Sequence, residues 1–355
     1  MTQRNVAIVG AGIGAEHFRA FQHLPEQFRV HTICELNSAR AQPLLDAAPQ
    51  TRLVDDLETA LADPEIDLVD VCLPPHLHFD ACVRALQAGK HVICEKPLVS
   101  SVREADQLAE VARQSGRDVF PVFQYRFGRG AAQLRALMDA GLTGKAFVAS
   151  LETHWNRGGD YYAVDWRGTW AGEQGGAILG HAIHIHDWAG FILGPVGSVY
   201  AMLDTRVNDI EVEDCAAITM RMESGAVVTS SVTLGAANDT SRLRFCFEGL
   251  TAESGSLPYA PAQDVWSFIA RDPFGQDKID AVLQDVPDAS PGYIGLFEAI
   301  SDALDGGDGR HVTLMDARRS LEFVSAVYGS ARTGLPVSLP LSDGHPMYDG
   351  WVPNS

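Results

Sequence analysis

The chain is expected to be an α/β protein in two parts: a doubly wound parallel sheet first, then an α+β domain with an open, mostly antiparallel sheet. Three observations carry that expectation. Residues 5–9 (Asn-Val-Ala-Ile-Val) form a continuously apolar run of the kind buried parallel strands show, and it leads straight into Gly10-Ala11-Gly12-Ile13-Gly14-Ala15. Strand-like runs then alternate with helical patterns as far as residue 123. Beyond that point the rhythm changes to period-two runs. The expected domain limits are therefore 1–123 and 124–355.

Within the first domain, further apolar runs at 30–34, 68–73, 91–94 and 119–123 predict strands, and the intervals 14–24, 38–48, 76–88 and 102–116 predict helices. Ser101 and Glu104 have the spacing of a capping box for the last helix. In the second domain a helix over 131–140 precedes a strand-like run at 145–153. The segment 155–176, rich in Gly, Trp, Tyr and Arg, shows no regular pattern, and loops of that length are more often functional than not. An apolar helix over 178–193 follows, then strands at 197–205, 213–222, 226–234 and 241–248, with Glu223-Ser224-Gly225 as a turn. Two helices, 292–305 and 315–332, finish the pattern.

Composition narrows the function classes. A length of 355 residues suits roughly two domains, and 46% hydrophobic residues supply their cores. A formal net charge of −19, with scattered Lys and Arg, disfavours nucleic acid and anionic membrane as partners. The sequence holds no apolar stretch of the ~18 residues a membrane span needs. The early strand leaves no room for a signal peptide, so a cytoplasmic location is expected. Six cysteines without Cys-x-x-Cys or finger spacing suggest small core residues in a reducing compartment.

The glycine-rich turn carries the first chemistry. Gly10 and Gly12, between a strand and a helix, allow a tight turn and the close approach of a pyrophosphate to a helix N-terminus, with Ala15 in the third small position. Glu35 ends the second strand. A carboxylate there can accept hydrogen bonds from both ribose hydroxyls and repel a 2′-phosphate, which favours NAD over NADP; Arg40, one turn further on, softens that preference. Leu73-Pro74-Pro75-His76-Leu77-His78 follows the next buried strand, as an extended turn able to line a nicotinamide with outward carbonyls. His78 begins the following helix, where the dipole disfavours its protonation.

Glu95-Lys96-Pro97 places charge at a buried strand end, which is uncommon without a purpose. Lys96 is expected to hydrogen-bond a reacting hydroxyl and the nicotinamide ribose, beside Glu95. In the second domain, His181 and His184 are three residues apart and should share one face of the helix that Gly175-Gly176 opens, while His186 and Asp187 point elsewhere. The spacing is not that of a zinc helix, and no metal is expected. Tyr161, Tyr162, Trp166, Arg167 and Trp170 suit a sugar ring with its hydroxyls or cofactor phosphate and carboxylate groups, and equally the closing of a domain interface.

Taken together, these motifs resemble the Gfo/Idh/MocA oxidoreductases, the glucose–fructose oxidoreductase and inositol dehydrogenase family. The resemblance rests on the glycine turn, Pro74 to His78, Ala88 to Pro97, Gln124-Tyr125-Arg126-Phe127, Gly175-Gly176 with His184 and Asp187, and Ser330 to Gly334 with Val337 and Pro340. It implies an NAD-binding Rossmann domain followed by a sheet domain through which homodimers or homotetramers form. It implies reversible oxidation of a hydroxyl on a sugar, inositol or related polyol, with Lys96 as the catalytic lysine and His184 as the proton acceptor. Ile13, Gly14, Leu73, Pro74, His78, Glu95 and Gln124 are then expected at the cofactor, and Arg126, Tyr162, Trp166, Arg167 and His181 at the substrate. Gly180 stands where such proteins usually carry Asp, leaving open whether His181 shares the proton relay. Two alternatives stay open: a non-catalytic sensor of NAD(H) and sugar, and an enzyme that keeps its NAD and processes glycosides by transient oxidation.

Overall fold

The computed structural model of the chain describes residues 2–307 and 310–353. It divides into two compact units, one up to Phe123 together with Tyr293–Arg318, the other Gln124–Gly292 with Arg319 onward.

In the first unit the elements run β1 (Arg4–Val9), α1 (Gly14–Gln22), β2 (Phe28–Cys34), α2 (Ser38–Ala47), β3 (Arg52–Val54), α3 (Leu57–Leu61), β4 (Leu68–Val71), α4 (His78–Gln87), β5 (His91–Cys94), α5 (Val102–Ser115) and β6 (Val119–Pro121). The strands form one parallel sheet in the order β3-β2-β1-β4-β5-β6. Its inner strands are apolar because helices cover both faces: Val6, Ala7 and Ile8, like Leu68, Val69 and Val71, are fully buried. The order reverses between β1 and β4, and ligands of such sheets bind outside the strand ends at that reversal. The α5 capping box is shared between neighbours: Ser101 Oγ accepts from Glu104 N at 3.1 Å, while Glu104 Oε2 takes the N–H of Ser100 at 2.8 Å.

The chain leaves the first unit after Phe123. The chain returns to the first unit at Tyr293, because the helix that starts there carries an aromatic face that α1 needs. Phe297 lies flat on Phe21 at 4.1 Å and edge-on to Phe28.

The second unit contains α6 (Arg129–Asp139), β7 (Ala146–Asn156), α7 (Gly159–Tyr162), α8 (Trp170–Glu173), a π turn (Ile178–Ala182), α9 (Ile183–Leu193), β8 (Val196–Asp204), β9 (Cys215–Met222), β10 (Val227–Thr233), β11 (Gly235–Phe247), β12 (Leu250–Glu253), β13 (Ser267–Ala270) and α10 (Gln276–Gln284). After α11 (Gly292–Leu304), α12 (Leu314–Thr333) leads back into this unit, to β14 (Val337–Ser338). Its eight strands lie in the order β13-β12-β11-β7-β10-β9-β8-β14, antiparallel except for the parallel pair β7–β10.

Alternation sorts the side chains of this sheet. Leu151, Ile218, Val228, Ser230 and Leu243 point inward, whereas Thr219, Thr229, Tyr200 and Met202 face outward and are exposed. The α9 helix is buried on nearly every side, with Trp188 stacked on Trp266 at 5.4 Å and its Nε1 donating to Tyr125 O.

Candidate active site

The glycine-rich turn has the shape a dinucleotide requires. Gly10 sits at φ +96°, and a Cβ there would lie 2.6 Å from Cys72 O, so the chain leaving β1 presses against the end of β4. Gly14, rather than the expected Ala15, makes the close contact between helix and sheet: a Cβ on it would meet Ile8 Cγ2 at 2.8 Å. At Gly12 the corresponding space is open, and Ile13 beside it is exposed. Glu35 is set against this turn, accepting Ala11 N at 2.8 Å on one oxygen and Asn37 N at 2.9 Å on the other, with Arg40 3.9 Å away. An open backbone cradle at a helix N-terminus with a fixed carboxylate beside it fits a diphosphate and a ribose.

The Pro74 turn differs from expectation. Its carbonyls do not all point outward: Leu73 O lies 2.7 Å from His78 Nε2, and Pro74 O takes Leu77 N. His78 Nδ1 lies 2.8 Å from Pro97 O, so this buried ring clips the turn after β4 to the chain after β5. Burial holds its pKa below the usual value, against the pull of the Leu73 and Pro97 carbonyls. Pro97 follows a cis peptide after Lys96, and Lys96 N donates to Glu95 Oε2 at 2.9 Å.

In the second unit the expected plain helix over 178–193 opens instead as the π turn. Its i→i+5 bonding changes the rotation per residue, a feature frequent at functional positions. Among their ring neighbours the two histidines differ. His181 lies edge-on to Trp155 at 5.3 Å and near Tyr161 at 5.6 Å, while His184 stacks on Tyr125 at 4.4 Å. His186 turns inward to Ser230 Oγ, and burial drops its pKa to about 3, so it stays neutral.

Arg126 forms a buried pair with Asp187. Nε and one terminal nitrogen each make a 2.6 Å bond to the two carboxylate oxygens. The guanidinium also lies over the Phe191 ring. Gln124 opens the short 3₁₀ turn that carries Arg126.

Glu213 anchors the start of the π turn. Its carboxylate accepts Ile178 N at 3.0 Å, Gly176 N at 3.2 Å and the Tyr328 hydroxyl at 2.9 Å. Gly176 is required here, because a Cβ would fall 1.9 Å from the backbone oxygen of Glu213. Burial pushes the Glu213 pKa up to about 7 in spite of these donors. A carboxyl whose folded value is raised above its ordinary value stabilises the fold most below that ordinary value, and the contribution fades as pH climbs through about 7. Glu213→Gln should therefore flatten this dependence: between pH 5 and 8 the wild-type Tm is expected to fall more than the variant's, as calorimetry would show.

The 155–176 segment is more ordered than its sequence suggests. β7 runs on to Asn156, so Trp155 is its last inward residue. Arg167 lies over the Tyr161 ring at 4.0 Å and the Trp166 ring at 4.6 Å, and pairs with Glu173 at 3.3 Å. Tyr162 is half-buried and meets Tyr161 edge-on, while Trp166 remains exposed. Three residues not singled out from the sequence join this wall. Arg157 bonds Asp239 at 2.8 Å and the Tyr259 hydroxyl at 2.7 Å and lies over the Trp155 ring. The aromatic-plus-Arg composition of 155–176 was a signal for Trp155 and Arg157; nothing local pointed to Tyr259.

Comparisons with known proteins agree with this geometry. Two family models match, an oxidoreductase family with an NAD-binding Rossmann fold over residues 4–123 and a GFO/IDH/MocA C-terminal domain over 131–253. An uncharacterized oxidoreductase of Schizosaccharomyces pombe is 31% identical over 269 residues, 72% of either chain. A D-glucoside 3-dehydrogenase of Escherichia coli is 29% identical over 190 residues, 53% of this chain and 54% of its own. Among solved structures, the WlbA dehydrogenase of Chromobacterium violaceum, in complex with NADH and UDP-GlcNAcA, superposes with a TM-score of 0.83 at 25% identity, covering 96% of this chain and 97% of that one.

Proposed function

We propose that this chain, which belongs to the Gfo/Idh/MocA family of NAD-binding oxidoreductases, is a dehydrogenase acting on a hydroxyl-bearing carbon of a sugar, inositol or related polyol. The observation that carries the proposal is the cradle at Gly10–Gly14 with Glu35 fixed against it, at the reversal point of a parallel sheet whose next strand ends in Glu95-Lys96. Relatives named D-glucoside 3-dehydrogenase and myo-inositol 2-dehydrogenase support the substrate class.

The backbone of the glycine turn and Glu35 would hold NAD, which when bound supplies the hydride acceptor. Lys96 donates a hydrogen bond to the reacting oxygen and stabilises negative charge developing there. A ring nitrogen of His184 takes the hydroxyl proton. The aromatic faces of Trp155 and Tyr161 lie against His181, Arg157 and Arg167 lie over the Tyr161 ring, and this grouping, with Trp166 under Arg167, suits the apolar face and hydroxyls of a sugar. Two further assignments belong to this reading. The exposed outer sheet face, with Val148, Val227, Tyr200 and Met202, pairs with a second copy of the chain. Six free cysteines fit the reducing cytoplasm; among the described residues no helix is long and apolar enough to cross a membrane.

The test is an assay of the purified chain with NAD or NADP and a panel of sugars, inositols and glycosides, following reduced nicotinamide and product together. Hydride transfer with at least one of them, faster with NAD, is expected. Binding of both ligands without transfer would favour the sensor, and glycoside conversion without net NADH would favour transient oxidation.

A further inference from the structure

The first unit contains a charged cluster that the reaction as described does not use. His17, on the first turn of α1, is fully buried. Its Nδ1 lies 2.9 and 3.0 Å from the two oxygens of Asp70 on β4, and its Nε2 lies 3.1 Å from Glu95 Oε1 at the end of β5. Asp70 is fully buried as well, and Glu95 is 5% exposed. The Cys72 thiol donates to Asp70 Oδ1 at 3.6 Å, and Tyr293 OH donates to Glu95 Oε1 at 3.0 Å. The rings of Tyr293 and Phe297 close over the imidazole at 4.5 and 5.4 Å.

Proton accounting fixes the charge. An ionised carboxylate only accepts, and a neutral imidazole has one N–H. Two ring nitrogens facing two carboxylates therefore require a doubly protonated ring, or else an acid that keeps its proton. Both Glu95 oxygens already receive other donors, Tyr293 OH and Lys96 N, which favours the carboxylate. We propose that His17 is a positioning residue: held as an imidazolium between Asp70 and Glu95, it locks the Glu95–Lys96 strand end in register with the glycine turn that opens its own helix. Glu95 connects the two through Lys96, whose N–H it accepts. The inference rests on the assignment of Lys96 to the reacting oxygen.

Burial alone would lower the pKa of the ring, but the Asp70 carboxylate, by charge and hydrogen bond, with Cys72 beside it, holds it well above the ordinary value. The titratable groups facing the ring are Asp70 and Cys72 on β4, Glu95 after β5 and Tyr293 on α11. The stabilisation is complete below the ordinary histidine value and is lost as pH rises through the raised one. His17, Asp70 and Cys72 also offer three ligand atoms within 4.8 Å of one another, which makes a metal ion the rival occupant.

The test pairs spectroscopy with kinetics on the full chain carrying isotope-labelled histidine. One histidine with both ring nitrogens protonated at pH 7 is expected, and His17→Gln should abolish that signature. The same variant should lower kcat by about 10- to 100-fold with a much smaller change in the KM for NAD, since a displaced donor costs rate more than cofactor affinity. If it does not fold, Tyr293→Phe, which removes one donor from Glu95 and no charge, should lower kcat several-fold in the same pattern. A neutral His17 at pH 7, stoichiometric metal in the purified protein, or wild-type kcat in folded His17→Gln would each overturn the proposal. Should the imidazolium be present in a chain that transfers no hydride to any substrate, the assignment of Lys96 fails instead, and the charge state of His17 stands.

Discussion

Replacing His184 by alanine is expected to lower turnover with a sugar or polyol by about 10²–10⁴-fold, the range a positioned general base contributes, while NAD affinity stays nearly unchanged. That loss corresponds to about 3–5 kcal/mol of barrier. It should appear in kcat because proton removal belongs to the chemical step, whereas the nucleotide cradle lies on other elements, at Gly10–Gly14 and Glu35. The ring is held against Tyr125, and the position four residues earlier is Gly180, which provides no carboxylate side chain to orient it. The measurement is kcat against pH for wild type and variant, with NAD dissociation constants followed by fluorescence. Full activity of the variant across the pH range would end the assignment of proton transfer to His184.

Asp187→Ala is expected to produce the largest loss of stability, about 3–5 kcal/mol, because it removes the carboxylate that takes two hydrogen bonds from the buried Arg126 guanidinium. The two side chains are only 8% and 4% exposed, so water cannot replace the missing partner at low cost. Their bidentate geometry, two bonds of 2.6 Å, makes the pair sensitive to any change at either end. Asp187→Leu combined with Arg126→Met should recover most of the loss, since an apolar pair of similar volume leaves no buried charge. Urea unfolding of the three proteins decides this: a single variant within about 1 kcal/mol of wild type would mean that the pair is solvated in solution.

The parts of this protein that were legible in its sequence are those whose physics is local. A buried parallel strand must be apolar on both faces, which marks β1, β4 and β5. A tight turn into a helix needs glycine, which marks Gly10, and a hairpin turn needs φ > 0, which marks Gly225 at +90°. The short elements β3, β12 and β13 escaped notice. β3 is a three-residue edge strand, largely exposed, whose apolar content is no different from that of a loop.

The candidate site was legible only in part, and for a related reason. Lys96, His184 and Glu35 stand at the ends of periodic segments, where a charge or an imidazole is conspicuous. The aromatic–arginine wall was half visible, because Tyr259 reaches Arg157 from more than a hundred positions along the chain.

The sequence by itself determined the class of each half and the glycine turn of an NAD-binding domain, and it marked Glu35, Lys96 and His184 as the groups on which the proposed chemistry rests. Tertiary structure alone decided what those groups touch. It gave His181 and His184 different ring neighbours and paired Arg126 with Asp187. It brought Tyr293 and Phe297 back to cover His17, and it joined His17, Asp70 and Glu95 into one charged cluster. The reason is that periodicity reports which face of an element is buried, whereas a buried charge is settled only by the partner that long-range packing delivers.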